Sequence, residues 1–329
     1  MINVGIIGAG YFGAVHARAI NEQRSARLHA VCSGDPERAA AFAGEHGGKP
    51  YSDWRAVLDD GSIDAVVIAT PHHLHAEIAI AAIEAGKRVL LEKPMAPTPQ
   101  ACRTIEAAAV GRNAVLMIGH VMHFFRPLMV AQEILASGRI GRPITGMSAL
   151  VKLWMEPNRQ NWHLDPKTGG GMLLTAGIHA LDQLVWLMDA PVAGVSALGG
   201  AFFHRQAADD TAFLNLRFSD GRIGQVSSIG YHEGAVSSGI QILCEDGVLD
   251  VNLNRGVRIG RNTAWDEVPD SWQANGMAAA VGREWAAFLH AVEAGAPPPV
   301  NAAYGRHIVD IIAAALKSAN ERREIPVEG

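Results

Sequence analysis

The feature that most narrows the possible folds stands at the very start of the chain. An apolar run, "INVGII", passes directly into Gly8-x-Gly10-x-x-Gly13 and then into a helical pattern over 11–22. The alternation repeats from there. Short apolar runs at 27–32, 64–69, 88–91 and 114–118 are separated by helical patterns at 36–46, 73–85 and 98–110. Strand, helix, strand at this spacing predicts a parallel sheet covered on both faces. Right-handed crossovers reduce the topologies to a doubly wound sheet.

The position of the glycines, after a strand and at the opening of a helix, reads as a dinucleotide fingerprint of the Rossmann type. Gly8 permits the tight turn, Gly10 lets the backbone approach a pyrophosphate, and Gly13 allows close helix–strand packing; the helix N-terminus faces the phosphates. Tyr11 and Phe12 lie between these glycines and belong to the same cofactor surface. About 20 residues further on, an acid normally holds the adenosine ribose hydroxyls. Ser33 stands there instead, with Arg38 one turn into the next helix. A carboxylate repels a 2′-phosphate, whereas a serine and an arginine bind one, so NADP is expected in preference to NAD. Asp35 has two readings: a ribose contact, or a cap on the helix that Pro36 opens.

Two further strand ends point to the same edge. "ATPHHLH", residues 69–75, puts Thr70 and Pro71 in a turn where ligands of this fold sit, and His72 and His75 in the first turn of the next helix. Three histidines here invite a metal reading, but no third ligand with a closed geometry is evident nearby; the expectation is a helix start lining the nicotinamide pocket, with no metal. "VLLEKPMAP", residues 89–97, ends an apolar run in Glu92 and Lys93. Stripping water from an ammonium at the tip of a buried strand is costly. Beside a nicotinamide, however, such a lysine can hydrogen-bond a substrate hydroxyl or carbonyl, and partial desolvation lowers its pKa toward neutrality.

After about residue 120 the texture changes. A helical stretch near 124–137 leads through "SGRIGRPITG" to a strand pattern at 143–153, a polar and aromatic loop, and a strong helix at 172–188. From 192 to 260 strand-like runs alternate between turn signals such as Ser219-Asp220-Gly221 and Glu245-Asp246-Gly247, and helical patterns at 277–294 and 302–321 follow. The expected architecture is α/β, with a Rossmann domain over 1–120 and a second domain over 121–329 whose sheet is mostly antiparallel.

The composition excludes several classes. With 49% hydrophobic and 19% charged residues over 329 positions and a net charge of −5, the chain has no basic stripe for nucleic acid. Its longest uninterrupted apolar runs fall far short of the roughly 20 residues of a membrane helix. The N-terminus lacks the basic start and cleavage site of a signal peptide. Three scattered cysteines (Cys32, Cys102, Cys244) fit a reducing cytoplasm and give neither a disulfide framework nor a zinc spacing.

Taken together, Gly8-x-Gly10-x-x-Gly13, "ATP", "AIEAGKRVLLEKPMA" and "GGGMLLTAGIHALD" resemble the Gfo/Idh/MocA oxidoreductases, named for glucose–fructose oxidoreductase and inositol dehydrogenase. The resemblance covers nearly the whole chain. It implies a C-terminal α+β domain with a large, open, mostly antiparallel sheet, a dimer or tetramer built through that sheet, and NAD(P)-dependent oxidation or reduction of sugars, polyols or related hydroxy compounds. Within "TGGGMLLTAGIHALDQLVW", Thr175, His179, Asp182 and Trp186 are spaced by four, three and four and share one helix face. His179 resembles the residue that exchanges the reacting hydroxyl proton, with Asp182 to orient it. Thr175 departs from the aspartate many relatives carry, and His123 stands where many have an arginine, with Arg126 close by. The loop "NRQNWHLDPK" adds Asn161, Trp162, His163, Asp165 and Lys167, with Trp162 and His163 the candidate sugar contacts.

The expectation is therefore a cytoplasmic oxidoreductase that moves a hydride between nicotinamide C4 and a carbinol carbon, with Lys93 and His179 handling the hydroxyl proton. Two rivals stand beside it: an NAD-dependent glycoside hydrolase that regenerates its cofactor, and a non-catalytic dinucleotide sensor.

Overall fold

The computed structural model describes residues 1–157 and 159–328, which form two compact units. The first comprises Met1–Val121 with Val281–Arg306, the second Met122–Ala280 with the chain from His307 onward. The return of 281–306 to the first unit is carried by long-range contacts. Trp285 is wholly buried there and donates to His16 at 3.0 Å. A side chain at Gly305 would meet Ile118 at 2.8 Å.

The first unit alternates strands and helices as far as β6: β1 (Ile2–Ile7), α1 (Tyr11–Glu22), β2 (Ala26–Cys32), α2 (Pro36–His46), β3 (Lys49–Tyr51), α3 (Trp54–Asp59), β4 (Ala65–Ile68), α4 (His75–Glu84), β5 (Arg88–Glu92), α5 (Pro99–Arg112) and β6 (Leu116–Gly119). The six strands are parallel in the order β3-β2-β1-β4-β5-β6. Val66, Val67, Ile68, Leu90 and Leu91 have no exposed surface. Strands sandwiched by helices are apolar on both faces, which is why they read as uninterrupted runs rather than alternation. Helix starts follow local chemistry: Asp35 caps α2 ahead of Pro36, and Thr98 caps α5 ahead of Pro99. The short β3 and α3 are additions to the sequence reading.

The second unit holds α6 (Arg126–Ala136), β7 (Pro143–Leu153), α7 (Ile178–Met188), β8 (Val192–Gly200), β9 (Thr211–Phe218), β10 (Ile223–Tyr231), β11 (Ser237–Cys244), β12 (Gly247–Asn252), β13 (Gly256–Arg261) and β14 (Ala264–Glu267). Two long helices, α8 (Gly276–Ala294) and α9 (Ala302–Glu321), and the short β15 (Ile325–Pro326) complete the chain. The nine-stranded sheet runs β14-β13-β12-β11-β7-β10-β9-β8-β15 and is antiparallel except for the β7–β10 pair. Helix α7 covers one face, where glycines let it approach: a Cβ at Gly146 would meet Leu184 at 2.7 Å. On the other face Leu198, Phe213, Met147 and Ile223 remain 72%, 44%, 44% and 61% exposed.

Among the described residues one stretch, Pro166–Met188, is long and apolar enough by composition to cross a membrane, although no uninterrupted apolar run in it reaches that length. Within the fold 89% of its apolar window is buried, the profile of a core helix.

Candidate functional site

The carboxyl ends of β1, β4 and β5 lie side by side at one edge of the parallel sheet, since Ile7 pairs with Ile68 and Ile68 with Leu91. The strand order reverses between β1 and β4, and open sheets of this kind bind ligands at that switch point. Gly8 has φ +120°, and a Cβ there would lie 2.3 Å from the Ala69 carbonyl oxygen; one at Gly13 would lie 2.1 Å from that of Gly8. Neither position accepts a side chain. At Gly10 a Cβ would meet nothing within 4 Å. Gly10 is the N-cap of α1 and offers no side-chain cap, so a phosphate can approach the bare amides of the first turn. The turn thus fits a dinucleotide pyrophosphate. Tyr11 is 64% exposed beside it, and Phe12 packs edge-on against His16.

Past β2, Asp35 accepts from the Glu37 and Arg38 amides at 3.0 and 3.2 Å, which settles its capping role. Ser33 is half-buried, and Arg38 is exposed beyond it. Past β4, Thr70 and Pro71 are half-buried, whereas His72 is buried. His75 has no exposed surface, and its Nδ1 and Nε2 lie 2.9 and 3.0 Å from the carbonyl oxygens of Pro94 and Thr70. It therefore straps the β4 and β5 loops together rather than lining a pocket, and its burial lowers its pKa.

Lys93 is half-buried just past β5, followed by a cis peptide bond to Pro94. Glu92 turns inward. Its Oε1 meets His16 Nε2 at 2.9 Å, and its Oε2 accepts the Lys93 amide at 3.2 Å. Glu92, read from sequence as a cofactor contact, is 6% exposed, and both of its carboxylate oxygens meet protein groups. His16 and Glu284, both fully buried beside it, escaped sequence reasoning.

In the second unit, the glycine run after the polar loop serves close packing. A Cβ at Gly170 would lie 2.4 Å from the His163 carbonyl oxygen, and one at Gly171, where φ is +108°, 2.4 Å from Asp209 Oδ1. Residues Leu173–Gly177 form a π-helical segment ahead of α7. Such segments recur at functional sites. Thr175 sits within it, buried, and His179 follows, half-buried. Asp209 seats this start: its Oδ2 accepts the Leu173 amide at 2.8 Å, and burial pushes its carboxyl up to about 6. Asp182 has no exposed surface and accepts from His123 Nε2 at 2.8 Å, while the His123 ring stacks on Trp186 at 4.3 Å. Thr175 and Asp182, read from sequence as substrate contacts, are both buried, 2% and 0% exposed. Trp162 is half-buried and stacks on His163 at 3.6 Å; His163 itself is buried and packs its Nδ1 against the Gln160 backbone. Asn161 and Lys167 are exposed, Asp165 caps a 3₁₀ turn, and Arg126 Nε donates to the Asp270 carbonyl at 2.9 Å.

Comparison with known proteins adds to this geometry. Residues 2–120 match the profile of an oxidoreductase family with an NAD-binding Rossmann fold, and residues 128–250 match the GFO/IDH/MocA C-terminal domain. A 1,5-anhydro-D-fructose reductase of Ensifer adhaerens is 31% identical over 261 residues, 78% of this chain and 75% of that protein. A 2,7-anhydro-N-acetylneuraminate hydratase of Mediterraneibacter gnavus is 33% identical over 225 residues, 67% of this chain. The chain spans about three fifths of the length of that hydratase and of another curated relative (59% and 61%). Among solved structures, a levoglucosan dehydrogenase in complex with NADH superposes with a TM-score of 0.92 at 26% identity, covering 99% of both chains.

Proposed function

Because the chain belongs to the GFO/IDH/MocA oxidoreductase family, whose first-domain profile carries an NAD-binding Rossmann fold, we propose that it oxidises or reduces a carbinol carbon of a sugar, polyol or cyclic hydroxy compound. The observation that carries this reading is Lys93, a half-buried amine at the tip of an apolar strand, on the same sheet edge as the open Gly10 turn. When bound, the nicotinamide supplies the hydride acceptor or donor. The first turn of α1 binds the pyrophosphate. Ser33 and Arg38 favour a 2′-phosphate, hence NADP over NAD, and the engagement of Asp35 with the α2 amides supports that preference. Lys93 hydrogen-bonds the reacting oxygen, and the imidazole of His179 accepts or returns the hydroxyl proton. Trp162 presents an apolar ring to the sugar.

The names of relatives support the substrate class: the reductase acts on an anhydro-sugar, and other relatives are named inositol 2-dehydrogenase and levoglucosan dehydrogenase. Two relatives are named hydratases, which favours one second reading, a cycle in which the cofactor is regenerated within each turnover. The apolar open face of the nine-stranded sheet supports a homodimer or homotetramer. Three cysteines, none of them in a disulfide, fit a reducing cytoplasm.

A panel of sugars, polyols, lactones and anhydro-sugars, followed at the nicotinamide absorbance with both cofactors and by product analysis, tests the proposal. Net absorbance change with one of them supports it; product without net change supports the second reading; neither, with dinucleotide bound, points to a sensor.

A further inference from the structure

Three buried side chains in the first unit have no role in the reaction described above. His16 of α1, Glu92 of β5 and Glu284 of α8 bring their ligating atoms within 4.8 Å of one another. His16 and Glu284 have no exposed surface, and Glu92 very little. Among the described residues neither buried oxygen of Glu284 has a hydrogen-bond partner, and one of them faces into this cluster.

The hydrogen bonds decide between a metal ion and a proton. The indole of Trp285 is a donor only, and its Nε1 lies 3.0 Å from His16 Nδ1. Nδ1 therefore accepts, and the neutral ring carries its proton on Nε2, 2.9 Å from Glu92 Oε1. A metal would need the Nε2 lone pair, which moves the ring proton to Nδ1, head-on against the indole N–H. The cluster is built for a proton. Glu92 receives two donors, His16 Nε2–H and the Lys93 amide. Glu284 receives none among the described residues and faces the Glu92 charge out of reach of solvent. Two carboxylates so placed do not both ionise, and the proton stays on the one without donors.

We propose that Glu284 is carried as the neutral acid at physiological pH, turned toward the Glu92 carboxylate, and that Glu284, Glu92 and His16 are positioning residues that hold the Lys93 backbone and present its amine with one negative charge rather than two. Burial and the Glu92 charge both raise the Glu284 carboxyl well above its ordinary range, in agreement. The other titratable groups around this charge are His16, His75 and Lys93; the Glu92 charge raises the His75 pKa and that of Lys93 lowers it.

The functional half of this inference rests on the reading of Lys93 given above, so the test has two independent readouts. Infrared difference spectra of the whole protein without cofactor, wild type minus Glu284→Gln at pH 8, isolate the carbonyl stretch of a protonated carboxylic acid. The band is expected, with a small downshift in heavy water; its absence, with only a carboxylate band lost, overturns the proposal whatever the activity. The second readout is the pH profile of kcat. Glu92→Gln removes the negative charge beside Lys93 and lowers the ammonium pKa, so the limb that Lys93 governs moves to lower pH by about one unit. Glu284→Gln, neutral as the acid is, leaves that limb in place. A limb that moves in Glu284→Gln as it does in Glu92→Gln overturns the proposal. An infrared band present in a protein that turns over no substrate sinks the assigned reaction alone.

Discussion

Asp209 carries an energetic penalty that pH brings out. The residue was not singled out in the sequence, yet it seats the helical segment that bears Thr175 and His179, accepting the Leu173 amide while the Met172 amide donates to its own carbonyl. Burial raises its carboxyl from the ordinary 3.8 to about 6. With a raised folded-state pKa, both folded and unfolded chains hold the proton below about pH 4, and no penalty exists there. As pH rises the unfolded chain releases its proton first, and stability falls until the folded-state pKa is passed. A difference of roughly two units corresponds to a loss of up to about 3 kcal/mol. Asp209→Asn keeps an oxygen for the Leu173 amide and removes the titration. Urea denaturation followed by tryptophan fluorescence, from pH 4 to pH 7, should show the stability of Asp209→Asn relative to wild type rising by up to about 3 kcal/mol across that range. A difference that stays constant with pH would refute the reasoning, because the buried carboxyl would then titrate as it does in the unfolded chain.

The remaining expectations concern binding and assembly. Gly13→Ala places a Cβ 2.1 Å from the Gly8 carbonyl oxygen, so the turn must open; calorimetric dinucleotide affinity should fall about tenfold or more, that is, by at least about 1.4 kcal/mol. Ser33→Asp should lower affinity for NADP about tenfold relative to NAD by setting a carboxylate against the 2′-phosphate, and an unchanged ratio would remove Ser33 from the ribose site. Phe213→Glu, on the open face of the sheet, should shift the protein to monomers in light scattering without changing its circular dichroism.

How much was legible in advance follows from what each feature depends on. The strand Pro143–Leu153 has the bounds its pattern predicts, α1 starts after Gly10, and α2 runs from the Asp35-Pro36 start to Gly47. These are local effects. The three-residue β3 and six-residue α3 are too short for periodicity to register. The π-helical segment keeps an apolar helical pattern in sequence and differs only in its hydrogen bonds. In the candidate site, the glycine turn and Lys93 were visible because strand ends announce themselves. The buried partners were not: His16 and Glu92 lie 76 residues apart, His16 and Trp285 269, and His123 and Asp182 59. A lone histidine on an apolar helix face looks the same whether it holds a carboxylate or merely fills space. Asp182 in turn shares the face of His179 in sequence, yet its carboxylate accepts from His123, far away along the chain.

The most direct measurement of the central claim is single-turnover and steady-state kinetics of Lys93→Ala with the best compound from the panel, alongside the dinucleotide dissociation constant. The account predicts a fall in kcat of about 10²–10³-fold, the range of a lost hydrogen-bond donor to the reacting oxygen, with dinucleotide binding little changed. A kcat close to wild type would contradict it, and the amine at the end of β5 would then have no part in the chemistry.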